Sequence, residues 1–139
     1  AITHTRTLEA LVGKNGWAVI DRVSTTRHHS HPVTLYVHWL LPDYPFQAFQ
    51  NSVRLFTPTG GAYLIFSFSE GSIDQTIYIH RAGKRIDAGE DDNQPLLGWY
   101  SGTYNQKAPA LSVEFVVSAI FPAVIHSQWV FGNDETGNG

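Results

Sequence analysis

The chain has 139 residues, no cysteine, 42% apolar residues and a net charge of −3 with only nine lysines and arginines. One domain of this size buries ~68% of the surface its unfolded chain exposes, so a core is available and wholesale disorder is excluded. The missing cysteines exclude disulfides, Cys-bound zinc and cysteine nucleophiles, and the scarce positive charge leaves no footprint for nucleic acid or an anionic membrane surface.

In chain order, period-two alternation begins at Thr5 to Val12, with neither an initiator methionine nor a signal peptide ahead of it. The sequence therefore reads as a piece of a longer protein. Lys14-Asn15-Gly16 predicts a hairpin turn, its Asn-Gly pair supplying the positive φ angles. Trp17 to Val23 follows as a second strand. Val33, Leu35, Val37, Trp39 and Leu41 then share one face of a third, with Thr34, Tyr36, His38 and Leu40 on the other. Val53 to Phe56, Ala62 to Phe68 and Thr76 to His80 are further strands, parted by Pro58-Thr59-Gly60-Gly61 and closed by Ala82-Gly83. Leu111 to Val117 and Ala123 to Phe131 complete the set. About eight strands near ten-residue spacing predict an all-β fold, an antiparallel β-sandwich of two sheets over residues 1–131. Trp39, Phe66, Phe115 and Trp129 fall on apolar faces and are expected in the core. The glycine-rich stretch 132–139 predicts a flexible tail. No apolar run approaches the ~20 residues of a membrane span.

Chemistry-bearing residues are few. His28, His29 and His31 cluster before the third strand, but Leu35 and Tyr36 stand where a cupin-like metal site needs a glutamate, so no metal is expected. His38 and His126 lie opposite the apolar set and read as polar-face residues. No serine sits in a nucleophile elbow, and no phosphate-cradling glycine motif occurs, so neither catalytic residue nor cofactor is assigned. Arg81-Ala82-Gly83-Lys84-Arg85 is a basic turn that the acids Asp87, Glu90, Asp91 and Asp92 neutralise. The stretch Gly98 to Ala110, GWYSGTYNQKAPA, stands apart from this pattern. Its aromatics fall on a loop, where ring faces are free to stack on a sugar, and it carries a cation beside them. Trp99, Tyr100, Tyr104 and Lys107 are thus the candidate substrate-binding residues.

Two segments resemble the C-terminal β-domain of the heparinase II/III-like polysaccharide lyases. Trp17 to Arg22, followed by Leu35, His38 and Pro42, is similar to that family's strand ending in Asp-Arg and its L-x-x-H-x-x-x-P strand. Gly98-Trp99-Tyr100-Ser101, Tyr104, Lys107, Pro109 and Ala110 are similar to its G-W-Y-S-x-x-Y-x-x-K-x-P-A-P stretch, departing at Asn105-Gln106 and at Leu111. Thr3-His4-Thr5-Arg6 matches a His and Arg pair that leads into the region. The resemblance implies a periplasmic or secreted bacterial lyase that cleaves uronic-acid-containing polysaccharide by β-elimination, in a cleft between an N-terminal (α/α) toroid and a β-sandwich. Its catalytic residues, and the zinc of some members, fall upstream of Ala1. The chain is then expected to be non-catalytic, with the toroid and an acidic polysaccharide as partners. A stand-alone carbohydrate-binding module and a cupin-like metal-dependent enzyme are the alternatives.

Overall fold

In the computed structural model, the residues described are 1–26, 31–86, 97–103 and 106–132, with backbone alone at 69–72. They form ten strands and no helix: β1 (Ile2–Ala10), β2 (Gly16–Thr25), β3 (Val33–Leu41), β4 (Phe46–Ala48), β5 (Ser52–Thr57), β6 (Gly60–Arg81), β7 (Lys84–Arg85), β8 (Trp99–Tyr100), β9 (Ala108–Pro109) and β10 (Leu111–Phe131). Pairing is antiparallel throughout, in the order β1-β2-β10-β6-β5-β4, with β3 also on β10, β7 on β6, and β8-β9 as a separate ribbon. The all-β fold expected from the alternation is the one observed.

Strands β6 and β10 run through the whole molecule and define its shape. The first half of β10 pairs with β3 on one side and the second half pairs with β2 on that same side, while β6 accompanies β10 along both halves. Register shifts between Ser118 and Ile125 mark where the ribbon bends. Folding there brings the two halves face to face. Phe66, on the first half of β6, stacks on Phe115, on the first half of β10, with ring centroids 4.4 Å apart and planes 6° apart. One layer is therefore β1, β2, the end of β10, the start of β6, β5 and β4. The other is β3, the start of β10, the end of β6 and β7.

The core between them follows the alternation phases. Leu111, Val113, Phe115 and Val117 are fully buried, as are Leu64, Phe66, Val53 and Ile79. Trp39 and Trp129 meet edge-to-face at 5.5 Å and 84°. Both pack against the core without being fully enclosed.

Three expectations need correcting. The four short strands from Ala62 to His80 and from Leu111 to Phe131 are two long ones, because the ribbon bends without breaking. The turn before β2 takes its positive φ at Gly13 (75°), not at Asn15-Gly16. Gly16 is instead the first residue of β2, and it is glycine for lack of space: a Cβ there would lie 2.0 Å from the Trp129 carbonyl oxygen. The three-residue β4, between Pro45 and Phe49, was not expected at all.

Candidate functional site

The GWYS segment forms a short hairpin pinned to the body of the protein by its first residue. The Gly98 carbonyl accepts hydrogen bonds from Ala82 N and Ala110 N, each 2.9 Å, and Gly83 N donates to Leu97 O at 2.8 Å. Gly98 has φ +81°, and a Cβ would sit 2.7 Å from Ala82 N and 2.8 Å from Arg81 Cα. Only glycine meets both demands. Trp99 then pairs with Pro109 and Tyr100 with Ala108. Beyond them the loop closes on itself, with Ser101 Oγ donating to Thr103 O at 2.8 Å and Gln106 N to the same oxygen at 3.2 Å.

Three of the four candidate residues are thereby brought together. Lys107 Nζ lies 4.0 Å from the centroid of the half-buried Trp99 ring. Tyr100 is 58% exposed and rims a cavity of about 430 Å³ with Leu40, Leu41, Pro42, Asp43 and Pro109. Tyr104 lies outside the described residues. Asp43 on the rim is paired with Arg81 Nε, so the one carboxylate among the described lining residues is already neutralised. Arg85 of the basic turn stacks over Tyr78 at 4.5 Å. The arrangement offers ring faces, an apolar hollow and a solvent-facing ammonium. Those groups suit stacking on a sugar and pairing with a carboxylate.

The histidines serve elsewhere. His28 and His29 lie outside the described residues, and His31 is exposed. Among the described residues no three His, Asp or Glu side chains converge as metal ligands do. His38 is exposed on the outer face of β3, as its phase predicts, and its Nε2 is 2.6 Å from the buried Ser112 Oγ. His4 and Arg6, on β1, both reach Asp21, on β2. His4 Nε2 and Arg6 Nε are each 2.7 Å from Oδ1, and Arg6 Nη2 donates to Oδ2 at 3.1 Å. Burial alone pushes the Asp21 carboxyl upward, but hydrogen bonds from Arg6 and His4 outweigh it and hold it below the usual carboxylate range. The hydrogen bond to Asp21 holds Arg6 above its ordinary value in turn.

A second surface was not anticipated. Leu8, Trp17, Trp39, Trp129 and Phe131 border an open apolar groove of about 410 Å³ beside β3. In the sequence these residues only mark the apolar phases of four strands; their meeting depends on register across three strand pairings. No family model, curated protein or solved structure matches this chain.

Proposed function

We propose that the chain is a non-catalytic β-sandwich domain of a heparinase II/III-like polysaccharide lyase, contributing framework and glycan contact beside an N-terminal toroid domain. The observation that carries this reading is the Lys107 ammonium over the Trp99 ring, next to the exposed Tyr100. A uronate presents one apolar sugar face and one carboxylate; the exposed Tyr100 ring suits the first and the Lys107 ammonium the second. Of the family-like stretch, Gly98, Trp99, Tyr100 and Pro109 take part in the hairpin or its anchoring. Each contact is solvated and contributes about 1 kcal/mol, so binding by this domain alone is expected near the millimolar range, about −4 kcal/mol.

Nuclear magnetic resonance titration with a uronate hexasaccharide tests the proposal. The Trp99 indole and Lys107 signals should shift, and Tyr100→Ala and Lys107→Ala should each weaken the effect several-fold. A neutral hexasaccharide should act more weakly, and equally on wild type and Lys107→Ala. Equal responses of the wild type to both sugars, or none at tens of millimolar, would sink the reading. A stand-alone carbohydrate-binding module would use the same hairpin. A toroid domain encoded in the same polypeptide separates the two.

A further inference from the structure

The two layers are of unequal width on the β3 side. Beyond β10, the larger layer continues through β2 to β1, whereas the smaller one ends at β3. Trp39 of β3 sits over the larger layer, its Nε1 3.4 Å from Ser127 Oγ and its ring 5.6 Å from the Arg6 guanidinium of β1. The inner face of β1 thus protrudes past β3, and among the described residues no strand lies above it. Leu8 is 63% and Trp17 47% exposed as a result.

We infer that the free edge of β3 accepts one extended polypeptide strand, whose alternate apolar side chains fill the groove over Leu8, Trp17 and Val19. Three observations fix the kind of occupant. First, among the described residues β3 pairs only with β10, leaving the main-chain donors and acceptors of every second residue along Val33–Leu41 directed to its other side. Second, that edge carries none of the usual guards. Val33 to Leu41 contains no lysine, glutamate, arginine or proline, the residues that keep strand edges from pairing. Third, the groove beside it is lined by apolar side chains alone. The polar groups at its β1 margin, His4, Arg6 and Asp21, already satisfy one another.

These features select against the other occupants. A sugar ring can stack on these aromatics but presents no regular row of donors and acceptors to match the β3 edge. A second copy pairing β3 to β3 would need its own β2 and β1 beneath its β3, in the space that β1 of the first copy fills. β-strand addition of this kind draws affinity from the main chain and selectivity from alternate side chains.

The probe is a capped peptide of alternating threonine and valine with lysine at each end, and the control replaces each valine by aspartate. On adding the probe, backbone amides of β3 should exchange with solvent at least fivefold more slowly, with β1 unchanged. Leu8→Asp and Trp17→Ser, at exposed positions whose folding circular dichroism checks, should each weaken probe binding tenfold or more. The control should leave exchange unaltered. Protection on β1 in place of β3, no protection, or probe affinity indifferent to both substitutions would overturn the inference. So would a dimer in sedimentation that protects β3 without peptide.

Discussion

Replacing Gly98 by alanine should damage the fold and the candidate site together. Two costs add. At φ +81° a side chain meets the following carbonyl, a penalty of roughly 1–2 kcal/mol. The new methyl would also lie 2.7 Å from Ala82 N, 2.8 Å from Arg81 Cα and 3.0 Å from Arg81 C, all backbone atoms that yield only if the β6-β7 turn shifts. Overpacking of this kind costs roughly 1–3 kcal/mol. A loss of about 3 kcal/mol lowers the melting temperature by roughly 10 °C in a chain of this length. Gly13→Ala is the matched control: φ is +75°, but nothing lies within 4 Å of the added methyl, so only the first cost applies. Differential scanning calorimetry of both variants separates the two contributions. Because the Gly98 carbonyl also anchors Ala82 and Ala110, the shift should carry Trp99 and Tyr100 with it and alter near-ultraviolet circular dichroism. If Gly98→Ala melted no lower than Gly13→Ala, the close approach of the hairpin to the turn would be wrong.

Phe66→Ala and Phe115→Ala should each cost ~3–5 kcal/mol. Their rings stack, so the double variant should lose measurably less than the sum in chemical denaturation, and strict additivity would deny the contact. Asp21→Asn should destabilise by ~1–3 kcal/mol, discounted because Arg6 and His4 are half exposed. The folded carboxyl titrates below its unfolded value near ~3.9, so its contribution is complete above that pH and is lost as pH falls through the lower folded value. Acid titration of the two proteins should therefore converge at low pH, and a constant gap down to pH 2 would contradict the assignment. The isolated chain incubated with heparin, heparan sulfate or alginate should produce no rise in ultraviolet absorbance above a heat-killed control. A sustained rise would refute the non-catalytic reading.

The sequence was most informative where a single strand decides its own exposure. Val33 to Leu41 has the predicted limits and faces, and His38 points outward as its phase requires. Local pattern failed where the deciding partner is distant. The Phe121-Pro122 pair resembles a turn signal, yet β10 runs through it with β6 paired on either side of the bend. Trp39 and Trp129 have core phase, but how fully each is enclosed depends on the width of the opposite layer, which no period reveals. At the candidate site, the sequence marks Gly98 to Ala110 as an aromatic loop; the pairing of Trp99-Tyr100 with Ala108-Pro109 as a short hairpin was not legible in it. Nor was the cavity beside Tyr100, since Leu40 and Pro42 come from β3 and its exit, about sixty residues earlier. The two-handed grip on Asp21 needs the β1-β2 register, which sets Arg6 opposite Asp21 and His4 opposite Val23.

The path of β10 also sets how the molecule bears load. From Val124 to Val130 this strand is bonded on both sides, to β2 and to β6, and its direction is opposite to both. Tension applied through Gly132 along the strand axis would act on those two rows of bonds in parallel, in shear, so that they resist together and fail together. A pull on Ile2 perpendicular to β1 would load the β1-β2 ladder one bond at a time, from its end. The domain should therefore be mechanically anisotropic, strong when drawn from the β10 end and easily unzipped from the β1 edge.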